Sequence, residues 1–366
     1  MSQQHIKCPN YKKCGGCQLQ NLSYERQLSF KQVKVIKLLG RYHRVSEIIG
    51  MAEPYHYRNK VQAAFSERKG EIISGVYQSS THNIVPVDNC LIEDEKADQI
   101  IATIRKLLKS FKLKPFNDNT MKGFLRHVLI KRGFASGQIM VVLVTSVMDF
   151  PKQSQFVNAL LERHSEITTI VQNVNNKLTS LVLGEESRTL YGMGYIEEQL
   201  LGFTFRISPK AFYQINPIQT EVLYSKALEF ADLSGNEKVL DAYCGTGTIG
   251  IIASKGAKSV VGVELNGDAV KDAVVNAELN DITNITFYKD DAGKYMVKAA
   301  EKGETFDVVI MDPPRAGASL EFLKSLVFLA PEKIVYISCN PETQARDLSF
   351  LTRKGYKVKK IQPVDM

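Results

Sequence analysis

The sequence holds no apolar run long enough to cross a bilayer. Its strongest, Ile139 to Val144, has the length of a buried strand. The polar start, Met1 to Asn10, lacks the apolar h-region of a secretory signal. No internal repeat stands out, and there is no low-complexity basic tail, so any polyanion would have to meet a folded surface. A cytoplasmic protein with no membrane partner, working as a monomer, is the expectation. Cysteine is also scarce: Cys8, Cys14, Cys17, Cys90, Cys244 and Cys339 are all there are in 366 residues. In a cytosolic chain of this size that excludes a disulfide framework and turns attention to ligand or nucleophile roles.

What is present is ordinary for a folded protein, with 44% hydrophobic and 23% charged residues and a length that allows two cores. The 47 Lys+Arg against 39 Asp+Glu leave a formal charge of +8, an excess that suits a phosphate-bearing partner.

Periodicity divides the chain. Residues 1–40 hold a turn-rich cysteine segment and a helical stretch, Ser23 to Leu39, with Leu28, Val33, Ile36 and Leu39 near helical spacing. Residues 41–204 mix short β-type runs at Val61–Phe65, Ile72–Tyr77, His127–Arg132, Ile139–Thr145 and Ile170–Val174 with helical patches at Ala97–Phe111 and Phe156–His164. This reads as an α+β module dominated by antiparallel strands. Residues 205–366 alternate strand and helix, from Pro217–Ala231 to a last expected strand at Tyr356–Ile361. Such alternation implies a parallel sheet covered on both faces, hence a doubly wound, Rossmann-like α/β domain.

Within that domain, Val239-Leu-Asp-Ala-Tyr-Cys-Gly-Thr-Gly-Thr-Ile-Gly250 joins a strand to a helix through a glycine turn. Gly245 and Gly247 allow close approach of a ligand to the backbone. Asp241 stands at the strand's carboxyl end, and Glu264, about twenty residues on, ends the next strand where an acid can bind ribose hydroxyls. The dinucleotide fingerprint requires a third glycine spaced for helix packing, which is missing here. An acid before a looser turn fits a sulfonium cofactor instead. Cys244, inside the turn, reads as a packing residue.

Two more strand ends are unusual. One is Val308-Val-Ile-Met-Asp-Pro-Pro-Arg-Ala-Gly317; the other, sixteen residues later, is Ile334-Val-Tyr-Ile-Ser-Cys-Asn-Pro-Glu-Thr343. Both tips fall at the sheet edge that carries Asp241. Together these blocks resemble the signature of the RNA uracil-C5 methyltransferases, and Phe212-Tyr-Gln-Ile-Asn216 and the Cys8–Cys17 segment extend the resemblance over nearly the whole chain.

The resemblance implies methyl transfer from S-adenosylmethionine to C5 of a uridine, with Cys339 as covalent nucleophile. Uracil C5 is a poor nucleophile, and a thiolate added at C6 makes it carbanionic. Arg315 is a source of positive charge that would favour the thiolate. The implied cofactor contacts are Gln214, Tyr243, Thr248, Glu264, Asp291 and Asp312, with Asp290 a rival for the place of Asp291. Cys8, Cys14, Cys17 and Cys90 offer four thiolates, suited by their chemistry to zinc or to an iron–sulfur cluster. Their uneven spacing resembles the [4Fe-4S] site of the ribosomal-RNA members, which points to 23S ribosomal RNA ahead of transfer RNA. Two parts of the family pattern are expected to be missing: the N-terminal RNA-binding barrel, and a Phe-Pro-His-Thr segment leading to the glutamate that removes the C5 proton. No general base is therefore named, and a slowly released covalent adduct is the expected behaviour. The rival readings are an amino-group methyltransferase, whose Asp-Pro-Pro loop would carry an aromatic residue where Arg315 stands, and a catalytically impaired RNA-binding factor.

Overall fold

The structure, a computed structural model, describes residues 6–79, 81, 83–179 and 181–366, so half of the polar start, Met1–His5, lies outside it. A single helical turn, α1 (Tyr11–Cys14), precedes α2 (Tyr24–Leu39). The latter begins where the Ser23 hydroxyl accepts the Arg26 amide, a standard way to satisfy a first-turn donor.

The next elements are β1 (Lys60–Arg68), β2 (Glu71–Tyr77), β3 (Ile84–Pro86), α3 (Glu95–Ser110), β4 (Leu125–Arg132), β5 (Ile139–Thr145), α4 (Gln153–Leu161), β6 (Ile167–Val174) and β7 (Glu186–Tyr191). Their strands form one sheet in the order β3-β2-β1-β4-β5-β6-β7. All pairs are antiparallel except β5 with β6, which α4 connects. Strand alternation sends Val128, Ile130, Val141 and Leu143 to one face, against Ile100, Ile104 and Leu108 of α3 and Phe156 of α4. Leu129, Met140, Val142 and Val144 go to the other face. That face packs on a hairpin, β8 (Ile196–Leu200) and β9 (Phe203–Ile207), and through it on the second sheet. The expected boundary at 204/205 thus falls inside the hairpin, and one core runs beneath both halves.

The second half comprises α5 (Pro217–Ala231), β10 (Lys238–Ala242), α6 (Thr248–Ser254), β11 (Ser259–Glu264), α7 (Gly267–Leu279), β12 (Ile285–Lys289), α8 (Ala292–Glu301), β13 (Val308–Met311), α9 (Leu320–Leu329), β14 (Lys333–Tyr336) and α10 (Pro341–Arg353). Its five strands are all parallel, in the order β12-β11-β10-β13-β14. The order reverses between β10 and β13, and an open α/β sheet binds ligands outside the carboxyl ends of strands at such a point.

In the second half, two elements differ from expectation. Helix α8 was not foreseen, although Ala292, Met296 and Ala299 bury one face at helical spacing. The strand expected at Tyr356–Ile361 does not join the sheet. The chain there instead exchanges backbone hydrogen bonds with residues 46–49: the Ser46 amide donates to Ile361, and the Ile49 amide to Pro363. Pro363 has no amide to give a ladder. Among the described residues, no helix is long and apolar enough to cross a membrane.

Candidate active site

The site grows from the carboxyl ends of β10, β11, β13 and β14. Val239 and Leu240 are fully buried, and they carry Asp241 down to 1% exposure at the end of β10. Its carboxylate takes the Gly250 amide, while Oδ2 has no hydrogen-bond partner among the described residues. A side chain at Gly250 would bring its Cβ to 2.7 Å from that oxygen, so glycine is required there. After Asp241 the backbone coils through left-handed residues, Tyr243 (φ 66°), Gly245 (φ 55°) and Gly247 (φ 78°), before entering α6. Such a conformation in a tyrosine is a local strain of the kind found at ligand sites. Glu264, ending β11, closes over this turn: one oxygen accepts the Gly245 amide at 3.1 Å and the other the Asn266 amide at 2.8 Å. Each oxygen keeps a further lone pair.

Opposite stand the tips of β13 and β14. The Asp312 amide reaches Ala242 O at 3.4 Å, and the Ile337 amide reaches Met311 O at 2.9 Å, so the tips line up along one edge. Cys339 follows β14 in a bend and is exposed. Its neighbours are held: the Ser338 hydroxyl donates to Asn340 O at 3.0 Å and accepts the Asn340 amide at 3.1 Å. Asn340 Nδ2 and Thr343 Oγ1 each donate to Arg315 O at 3.2 Å, tying the two tips together. Behind them Asp347 of α10, fully buried, accepts from the Ala318 amide at 2.9 Å, Tyr336 OH at 2.7 Å and Arg346 Nε at 2.8 Å.

One cleft of about 2010 Å³ runs past Asp241, the glycine turn, Glu264 and the two strand tips. Gln214, Tyr243, Thr248, Glu264, Asp291, Asp312 and Cys339, singled out from sequence, all line it. Asp290 does not; it is engaged with Lys298 Nζ at 2.6 Å, whereas Asp291 caps α8 by accepting the Lys294 amide at 3.1 Å. The cleft floor is acidic. Burial pushes Asp312 up to about 6, and burial with the nearby charges of Asp312 and Glu264 pushes Asp241 up as well. A cationic ligand would relieve that penalty, so the floor fits a sulfonium and an ammonium group. Arg58, Lys210, Arg315, Lys357 and Lys360 line the same cleft.

Several lining residues received no role from sequence. Phe212 stands 64% exposed beside Gln214, and Tyr224 of α5 is buried against Gln214, Asp312 and Asp241. Phe212 opens the Phe212-Tyr-Gln-Ile-Asn216 motif, which was the available signal. Nothing local marks Tyr224 or Asp347, because their partners lie far away in the chain.

Cys8, Cys14, Cys17 and Cys90 are free thiols, all half-buried. Cys17 feels the charges of Cys8, Cys14 and Glu93, and Cys90 that of Glu93, so the four share a neighbourhood beside Arg58. Their donor chemistry suits a soft metal or cluster. Among the described residues, however, no group of three or more His, Cys, Asp or Glu side chains closes around a metal-sized site. Cys244 is buried and packs against the Gly262 backbone.

A family model described as tRNA (Uracil-5-)-methyltransferase matches residues 23–365. An RNA methyltransferase of Clostridium tetani, described as uncharacterized, is 46% identical over 363 residues, which cover 98% of this chain and 79% of that one. One of Clostridium acetobutylicum is 45% identical, with coverage of 98% and 80%. Among solved structures, the tRNA (uracil-54, C5)-methyltransferase of Pyrococcus abyssi in complex with S-adenosyl-L-homocysteine superposes with a TM-score of 0.81. It is 29% identical, over 96% of this chain and 82% of that one.

Proposed function

The chain belongs to the tRNA (uracil-5-)-methyltransferase family, and from that premise we propose that it methylates C5 of a uridine in 23S ribosomal RNA through a covalent bond from Cys339 Sγ to C6. The observation that carries this reading is the position of Cys339: exposed, at a strand tip, in the same cleft as the acidic floor.

S-adenosylmethionine supplies the methyl group on a sulfonium. Asp312 and Asp241 offer that charge and its ammonium the counter-charge they lack, while Glu264 takes the ribose hydroxyls. Tyr243, Thr248, Asp291 and Gln214 complete the wall around it. The Cys339 thiolate adds to C6, and the electron pair of the C5–C6 bond moves toward the C4 carbonyl, leaving C5 carbanionic. C5 then takes the methyl, and the sulfonium leaves as a neutral thioether. Loss of the C5 proton to a base reforms the double bond and expels the thiolate. Asn340 and Ser338 keep the nucleophile's backbone fixed throughout, which is the positioning part of the rate enhancement.

The 23S assignment is supported by the four thiols at positions 8, 14, 17 and 90, which we assign to a [4Fe-4S] cluster with a structural or RNA-contacting role. Iron and acid-labile sulfide measured on anaerobically purified protein check it, and their absence would remove the support. Transfer RNA is the second reading, favoured by the name of the Pyrococcus abyssi relative. Residues 1–40 and 41–204 would form the RNA-contacting side and 205–366 the catalytic side of a monomeric cytoplasmic enzyme.

The central test uses RNA carrying 5-fluorouridine, given with S-adenosylmethionine. Fluorine at C5 cannot leave as a proton, so the adduct should survive denaturation and map by mass to Cys339. A Cys339→Ala variant should form none. Methylation of C5 by that variant would sink the mechanism, and mass mapping of total RNA from a strain lacking the enzyme decides between ribosomal and transfer RNA.

A further inference from the structure

The Ser208–Asn216 segment joins β9 to α5 as a strap along the cleft wall. It carries Phe212 and Gln214 into the cleft, with Tyr213 buried between them. Its own half of the chain holds only its ends, through the Ala211 amide on Ser208 O at 3.3 Å and Thr220 on Asn216 O; the other grips come from the first half. Lys131 Nζ, on β4, donates to Ser208 O at 2.8 Å and Ala211 O at 2.7 Å. Asn59, just ahead of β1, donates from Nδ2 to Gln214 O at 3.2 Å and from its amide to Ile215 O at 3.0 Å. Both grips come from one end of one ladder, where Lys60 pairs with Lys131 and the Arg132 amide donates to Asn59 O at 2.8 Å.

Lys131 is an expensive way to hold a loop. It is 5% exposed, directly opposite the like charge of Lys60, and its counter-charge is Asp272, which is itself engaged by the Ser208 hydroxyl at 2.8 Å. Burial and Lys60 push its ammonium down to about 7. An apolar side chain would avoid that desolvation but leave Ala211 O without its donor and Ser208 O with only the Ala211 amide at 3.3 Å. The neutral amine still has two N–H groups, enough for both carbonyls, so the grip persists on either side of neutrality.

We propose that Lys131 is a positioning residue, through which the seven-stranded sheet sets the place of Phe212 and Gln214 in the cleft wall. The proposal rests on the reading of that cleft as the S-adenosylmethionine site. A shift of the strap displaces Gln214 from the cofactor and Phe212 from the base, so the effect belongs in affinity and turnover more than in stability.

The experiment compares Lys131→Met with Lys131→Gln, whose amide keeps two donors, and with Ile104→Val in the separate core under α3 as a control of lowered stability. Binding of S-adenosylhomocysteine is measured by calorimetry, followed by kcat and KM for methylation. Lys131→Met is expected to weaken S-adenosylhomocysteine and lower kcat/KM, each by about tenfold, with Lys131→Gln recovering most of the loss and Ile104→Val causing none. Equal affinities in Lys131→Met and the control overturn the proposal, as does a loss that Lys131→Gln does not repair. If Lys131→Met does not fold, Asn59→Ser, which frees Gln214 O alone, must weaken the same ligand; unchanged affinity there also overturns it. A wild-type protein that binds S-adenosylhomocysteine but methylates no uridine would sink the proposed reaction and leave this inference standing.

Discussion

Asp312 shows how burial turns one carboxylate into a gauge of the ligand. Its ordinary pKa lies near 4 and rises to about 6 in the folded protein, because it is desolvated at the end of β13. Between those values the native state binds more protons than the unfolded one, so stability falls as pH rises through that window and is regained below it. Asp312→Asn should accordingly make the ligand-free protein more stable than the parent at pH 7, and the advantage should vanish near pH 4; thermal melts at the two pH values check it. A bound cation reverses the balance by favouring the carboxylate. S-adenosylmethionine affinity should therefore fall below pH 6, at most about tenfold per pH unit, and fall less for the thioether product. Calorimetry at pH 7 and pH 5 reads the difference, and an equal loss for both ligands would remove Asp312 from the sulfonium's surroundings. The placement of these acids was legible, since an acid at the end of a buried apolar strand needs only local pattern to be noticed. That Asp291 and not Asp290 faces the cleft was not legible: the choice depends on Lys298, a turn and a half along a helix absent from the sequence reading.

At the scale of elements, α10 does more than cover the sheet. Through Asp347 it holds the Ala316–Ala318 loop and Tyr336 of β14 together, and so fixes the spacing between the Asp-Pro-Pro tip and the Ser-Cys-Asn tip. Gly317, at φ 79°, lies so close that a Cβ would meet Asp347 at 2.7 Å. Asp347→Ala should cost about 3 kcal/mol, from the loss of charge-assisted bonds to buried donors, and slow adduct formation by Cys339 in the folded fraction. Chemical denaturation and a single-turnover trap with 5-fluorouridine RNA measure the two effects. Helix and strand positions in the second half followed closely from periodicity, Pro217–Ala231 and Leu320–Leu329 to the residue. The hairpin β8–β9 escaped, although Leu201-Gly202 marks its turn and Ile196, Leu200, Phe205 and Ile207 face one core. The expected strand at Tyr356–Ile361 failed for a reason no local pattern contains, since the chain from Ile361 to Asp365 bonds to Ser46 and Ile49.

For the molecule as a whole, the cleft joins the buried acids Asp241 and Asp312 to exposed lysines, in a chain with a net charge of +8. Lys357 and Lys360 are exposed and line the cleft. Replacing both by glutamate should weaken RNA binding by about tenfold and flatten its dependence on salt, while leaving S-adenosylhomocysteine affinity unchanged. A filter-binding series at two ionic strengths checks this. The sequence by itself determined the alternation of elements in the second half, the acid-and-glycine turn and the two tips with their cysteine, because these depend on neighbours a few residues apart. Only the tertiary structure decided that the order of strands reverses between Asp241 and Asp312, that one core runs beneath both halves, and that Lys131 and Asn59 grip the strap. Those outcomes join residues tens to hundreds of positions apart, and their energies arise from burial and hydrogen bonding that exist only once the chain has folded.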